Sequence, residues 1–216
     1  CSCLGAKRLN RSIYGRRMTL FGAMLLTTVM IMSICETMAA EPDDQVDLNI
    51  PDRAWDPVYA NFTVGWCGET SIQMAMAYFG REVSQKVINQ AAGPDIPGIE
   101  ENDVDTALTT LGVAFTSWPD SGQNVDGFID WIKKELREGH PVICGTKIYP
   151  DVHPDWYVDH LVLAVGFDEN GLILNTQTDC DGQQNVSYDQ LESRNEGYSF
   201  KSNQNRYFGR AVTGLK

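Results

Sequence analysis

Two short segments of the 216-residue chain carry residues able to do nucleophilic chemistry. The first is Gly65-Trp66-Cys67-Gly68-Glu69-Thr70-Ser71, which sets a cysteine where a helix begins. The first turn of a helix has unpaired N–H groups and a partial positive charge. Both favour thiolate, the form that attacks. Gly65 and Gly68 keep side-chain bulk away, so a substrate carbonyl can come close. The amide N–H of Cys67 is placed to stabilise an oxyanion. The second segment, Asp159-His160-Leu161-Val162-Leu163-Ala164-Val165-Gly166-Phe167, puts a histidine at the head of an apolar strand. An imidazole there can take the thiol proton and return it to the leaving group. A third group has to fix the ring's tautomer and orientation. Asn175 lies on the strand returning across the Asn170-Gly171 turn, and two strands of one hairpin can present His160 and Asn175 side by side. Read singly, Cys67 fits a small buried hydrophobe just as well, and His160 a satisfied strand end.

Taken together the segments resemble a known family. Cys-Gly-x-x-Ser opening a central helix, His-x-Val-x-x-Val-Gly-Phe-Asp, and Gly-Leu-Ile-Leu-Asn are similar to the C39-like branch of the papain-like cysteine peptidases, over roughly residues 60–178. The resemblance implies an α+β papain-like fold, with the cysteine helix packed on an antiparallel sheet that bears the histidine. It implies Cys67 as nucleophile and His160 as base. The third member maps to Asn175, with Thr176 beside it where some relatives have Asp. The family pattern has Gln six residues before the cysteine, donating to the oxyanion; here Asn61 stands there, one methylene shorter. Glu69 replaces a Pro common in C39-like relatives. Its carboxylate can raise the thiol pKa by like-charge repulsion, cap the helix start, or bind a cationic group. Trp66, Gly68, Glu69 and Asp159 are the residues expected along the substrate cleft, with core packing an equal alternative for Trp66.

The implied activity is cleavage of a peptide or amide bond without metal or cofactor. An acyl-transferase on the same scaffold differs only in what enters second. From another class, a catalytically weak module that binds peptide or cell-wall material is favoured by Asn61 and Glu69. Elsewhere, His140 sits in a Gly-His-Pro turn and reads as structural. His153 has Asp151 and Asp155 near it, but a lone histidine among loop carboxylates makes a poor metal site. Asp179-Cys180-Asp181-Gly182 lacks the spacing of a calcium loop. Asn61-Phe62-Thr63 and Asn185-Val186-Ser187 are glycosylation sequons in a eukaryotic secretory setting.

The elements that must position Cys67 and His160 follow from periodicity. Helical spacing of apolar residues predicts helices over 66–79, 84–92, 102–111 and 125–138, with Gly80 and Gly112 as stops. Residues 141–148, 160–167 and 172–175 read as strands, the last two joined by the Asp168–Gly171 turn. A short helix over 187–192 and a strand over 206–213 close the chain. Helices first and an antiparallel sheet second make an α+β domain over 59–216. Residues 41–58, acidic and proline-containing, read as an extended segment before it.

Residues 1–40 differ. Lys7, Arg8, Arg11, Arg16 and Arg17 precede the apolar run 18–35 and the small residues Ala39 and Ala40. That order is a secretory signal peptide, so the protein is expected outside the cytoplasm, secreted or periplasmic. The alternative is an uncleaved leader serving as a membrane anchor. Cleavage removes five cations and one acid, taking the net charge from −12 to about −16. So acidic a chain is expected to bind neither nucleic acid nor, apart from the leader, a membrane. Cleavage also removes Cys1, Cys3 and Cys35. Of the three cysteines left, a disulfide between Cys144 and Cys180 would leave Cys67 free.

Overall fold

The computed structural model describes residues 44–59, 65–119, 124–152, 154–201 and 204–216. The leader, Asn61 and His153 lie outside the described residues, and with them the expectations placed there. Three helices come first, α1 (Cys67–Tyr78), α2 (Gln85–Ala92) and α3 (Glu101–Thr110), after a short strand β1 (Val46–Asp47). Next are β2 (Val113–Ser117), α4 (Val125–Arg137), β3 (Val142–Thr146), β4 (His160–Phe167), β5 (Gly171–Asn175), β6 (Gln183–Ser187), α5 (Tyr188–Leu191) and β7 (Gly209–Leu215).

The strands form one antiparallel sheet in the order β2-β7-β3-β4-β5-β6. β1 pairs with the end of β4, Val46 opposite Phe167, on the edge that β3 leaves. β4 is central and every residue in it is buried. Because side chains alternate along a strand, Leu161, Leu163 and Val165 join the core under α1–α3, while Val162 and Ala164 join the core under α4. The continuous apolar run in the sequence is therefore a strand covered on both faces. Each fully buried Leu, Ile or Phe in these cores stabilises by about 1.5–3 kcal/mol.

The helices begin and end for local reasons. Ser84 caps α2 by accepting from Val87 N–H, and Asn124 caps α4 by accepting from Gly127 N–H. Gly80, with φ of 83°, closes α1 as its amide bonds to the Ala77 carbonyl. Glu100, not Asn102, opens α3: its side chain and that of Asp103 form a reciprocal capping box. Two further differences concern the sheet. β2 lies between α3 and α4, so helices and strands are not strictly segregated in sequence; β2 pairs with the last strand, β7. β6 has only Val186 buried among polar neighbours, as suits the last strand of the sheet.

Candidate active site

Cys67 is the first residue of α1 and is half-buried. Trp66, before it, offers no side-chain acceptor to the helix start. The Gly68 amide acts to lower the Cys67 thiol pKa, and the Glu69 amide does the same for its own carboxyl. The Leu161 amide lowers the thiol pKa in the same way, and Cys67, His160 and Leu161 line one cleft. Burial pushes the thiol up to about 12, against the pull of the Leu161 and Gly68 amides and with help from the Glu69 charge.

His160 is 4% exposed, and its Nε2 lies 3.2 Å from the Thr176 carbonyl oxygen. A carbonyl can only accept, so Nε2 carries the proton and Nδ1 keeps the lone pair. Burial lowers the imidazole pKa; the Thr176 carbonyl and the charges of Asp159 and Asp181 oppose it. Both shifts favour the neutral thiol and the neutral imidazole over the ion pair.

Both residues line one cleft of about 600 Å³. One wall is the segment before α3, from Pro97 to Glu101; the other is the end of the β3–β4 connection, from Asp155 to Asp159. Trp156 is exposed on that second wall. A polar pocket of about 270 Å³ adjoins at Glu101 and Tyr157 and contains Arg206 and Arg210.

Several expected site residues are placed differently. Asn175 does not orient the imidazole. It sits opposite Leu163, and its amide nitrogen donates to the Ile50 carbonyl at 2.8 Å while its oxygen accepts from Gln183. The side chain ties the 44–59 segment to the sheet, and the main-chain carbonyl of the next residue holds His160. Trp66 is core: 3% exposed, stacked on Tyr59, with its indole N–H on the Pro97 carbonyl. At Gly68 a Cβ would fall 2.7 Å from the Ile99 carbonyl oxygen, so glycine serves the close approach of α1 to the segment before α3 rather than access to the thiol. Glu69 is fully buried; its Oε1 accepts from Asn89 and from Ile99 N–H, and its Oε2 has no partner among the described residues. Asp159 does line the cleft, but its carboxylate accepts from the Ile148 and Tyr149 amides and lies 3.8 Å from the Lys147 ammonium.

Cys67, Cys144 and Cys180 are all free, so the Cys144–Cys180 disulfide is not formed. Cys144 is enclosed in the core under α4 with its thiol on the Val142 carbonyl, whereas Cys180 sits in the part-exposed β5–β6 turn. Glu135, Glu138 and His140 offer three ligand atoms within 4.8 Å of one another. His140 is already bonded to Glu135 at 2.9 Å, and Lys134 lies 3.4 Å from Glu138, so the group reads as an ion-pair cluster at the end of α4.

Three groups were not foreseen from the sequence. Gln177 follows Thr176 at φ of 65°, and its amide nitrogen donates to the Leu161 carbonyl and to Ser71. Asp181 receives the Tyr198 hydroxyl, and that same hydroxyl lies 3.4 Å from the Thr176 hydroxyl. A non-glycine residue with positive φ inside a buried turn marks such a place only once the backbone is known.

A cysteine-headed helix packed on an antiparallel sheet whose central strand opens with histidine is the architecture of a papain-like cysteine hydrolase. The chain belongs to the Peptidase_C39 like family, whose profile matches residues 47–206. It is thereby a cysteine-peptidase-like hydrolase, of a family whose substrates are peptides. The fold is similar to a protein assigned as a C39-like peptidase from Bacillus anthracis, at 14% identity and TM-score 0.53, covering 81% of this chain and 100% of that one. It is also similar to the peptidase domain of Streptococcus ComA, a bi-functional ABC transporter involved in quorum sensing, at 12% identity and TM-score 0.51, covering 76% and 98%. Interpain A, a cysteine protease of Prevotella intermedia, aligns at 14% identity and TM-score 0.50, covering 80% and 95%. No curated protein matches the chain.

Proposed function

We propose that the protein is an exported thiol peptidase in which Cys67 is the nucleophile and His160 the general base. The observation that supports it best is the Nε2 contact to the Thr176 carbonyl, in a cleft that Cys67 shares. That contact leaves Nδ1 as the basic nitrogen. With burial favouring the neutral thiol, proton transfer to Nδ1 accompanies attack on the substrate carbonyl. The sulfur–carbon bond forms, and the oxyanion accepts from the Cys67 amide, with Asn61 as a second donor. Collapse of this intermediate breaks the C–N bond, and the amine leaves with the proton returned by His160. Water, activated by the same imidazole, then releases the acid and regenerates the thiol. Export rests on the leader, with anchoring by an uncleaved leader as the alternative.

An epoxide-type thiol inhibitor, followed by mass spectrometry of the full chain, tests the nucleophile. One adduct on Cys67 in the wild type and none in Cys67→Ala is expected; an unmodified Cys67 in folded protein overturns the assignment. A second reading, a peptide-binding module of low activity, is favoured by the thiol at about 12. Saturable peptide binding without turnover distinguishes it.

A further inference from the structure

One side chain joins the strand of His160 to the helix of Cys67. Gln177 is fully buried, and its Nε2 donates to the Leu161 carbonyl at 3.2 Å and to the Ser71 hydroxyl at 3.3 Å. Leu161 is the residue after His160 on β4. Ser71 comes four residues after Cys67, one turn along α1 and on the same face. The Ser71 hydroxyl itself lies 3.4 Å from the Leu161 carbonyl, so three groups meet at one point between helix and strand. β5 ends at Asn175, opposite Leu163, and gives the Leu161 carbonyl no strand partner; side chains from α1 and from the β5–β6 turn take that place.

The main chain of Gln177 is tied as closely. Its N–H belongs to the same peptide unit as the Thr176 carbonyl, which lies 3.2 Å from His160 Nε2. That N–H donates to Asp52 Oδ1 at 3.2 Å. The Gln177 carbonyl accepts from the Cys180 and Gly182 amides at 2.9 and 3.1 Å. The peptide plane that holds the imidazole is thereby fixed by the N-terminal segment on one side and by its own turn on the other. Two features of Gln177 work against stability. Its φ is 65°, and its Oε1 is buried with no partner among the described residues. A glycine would meet the backbone without strain, and an apolar side chain would leave no orphan oxygen. What glutamine adds is an amide nitrogen that reaches α1 and β4 together.

We propose that Gln177 is a positioning residue for the Cys67–His160 pair: its side-chain amide sets the spacing of α1 and β4, and its backbone presents the Thr176 carbonyl to the imidazole. This rests on His160 being the base. Proton transfer from thiol to imidazole depends steeply on their separation, and a misplacement of about 1 Å can cost about a hundredfold in rate. Losing the amide therefore acts through His160, without touching either reacting group.

The rate of iodoacetamide alkylation at each cysteine of the full chain is followed by mass spectrometry between about pH 5 and 9. Gln177→Gly keeps the backbone conformation and removes the amide. Its Cys67 rate near neutral pH falls about tenfold or more, and its pH profile takes the form seen in His160→Ala. In the His160→Ala background the same change leaves the Cys67 rate within about twofold, because the group it positions is gone. Ser71→Ala removes one of the two partners of the amide and slows Cys67 in the same direction by less. Where far-ultraviolet circular dichroism shows Gln177→Gly unfolded, Ser71→Ala carries the same comparison with and without His160. A Cys67 rate within about twofold of wild type in folded Gln177→Gly, while His160→Ala still slows it, overturns the inference. Slowing as large without His160 as with it overturns it too. So does a faster Cys67 accompanied by a newly reactive Cys144, since that thiol is enclosed in the core under α4 and its opening shows a packing role alone. An unchanged Cys67 rate in His160→Ala overturns the base assignment itself.

Discussion

The two faces of the sheet are built differently. Under α4 the core is aromatic: Trp118, Phe128, Phe200 and Tyr207 pack with ring centroids about 5 Å apart. The α4 side also encloses Glu135 and Thr146, but under α1–α3 the interior encloses more polar groups, Glu69, Ser71, Asn89, Asn175 and Gln177, and both Glu69 and Gln177 keep an oxygen without a partner among the described residues. An unsatisfied buried oxygen costs about 1–3 kcal/mol. The aromatic face holds the sheet together, while the more polar face carries the larger share of that cost and fixes the cysteine, the histidine strand and the N-terminal segment in register.

The largest expected effect that breaks this division comes from Phe128→Ala. It removes a ring with no exposure from the aromatic face and lowers unfolding stability by about 3–5 kcal/mol in a denaturant titration. The Cys67 alkylation rate of the protein that remains folded stays within about twofold of wild type. If that rate falls together with stability, the two faces are not separate in function. Next in size is Asn175→Ala, which strips the amide from the Ile50 carbonyl and the oxygen from Gln183. It costs about 1–3 kcal/mol of stability. Alkylation of Cys67 is retained, because the His160 partner is main chain; a catalytic-scale loss in folded Asn175→Ala would return that residue to the role its sequence position suggests.

The smallest effect sharpens the polar face. Burial raises the Glu69 pKa from its ordinary 4.5, and the bonds from Asn89 and the Glu69 and Ile99 amides only partly oppose this. The folded chain then keeps the Glu69 proton at pH values where the unfolded chain has lost it. Its contribution to stability is most favourable below the ordinary glutamate range and declines as pH rises from there through the raised value. Glu69→Gln keeps the acceptor for Asn89 and Ile99, removes that decline, and is more stable than wild type above the window. It also removes a charge that raises the Cys67 thiol, so alkylation quickens about two- to threefold. A pH–stability curve of unchanged slope in the variant would show that Glu69 ionises alike in both states.

The sequence made the principal carriers of the site legible because their types and local patterns coincide. Cysteine at a helix start and histidine at the head of an apolar strand both lie where periodicity places them, and the Asn170-Gly171 turn sets the β4–β5 hairpin. The partner of His160 was not legible. A backbone carbonyl has no residue identity, and counting along the hairpin selects Asn175, one residue short. The expected cleft residues Trp66, Gly68 and Glu69 failed for another reason: they face the segment before α3, whose approach to α1 is a tertiary event without local signal. β2 and β6 are short, and β6 is mostly polar, so alternation alone does not reveal them.

Acyl transfer to the thiol itself tests whether Cys67 is the nucleophile and His160 its base. The full chain is mixed with p-nitrophenyl acetate, quenched in acid at successive times, and mapped by mass spectrometry. An acetyl group is expected on Cys67, absent in Cys67→Ala, and forming about a hundredfold more slowly or worse in His160→Ala. Acetylation that spares Cys67 in the folded wild type, or that proceeds at an equal rate without His160, would contradict it.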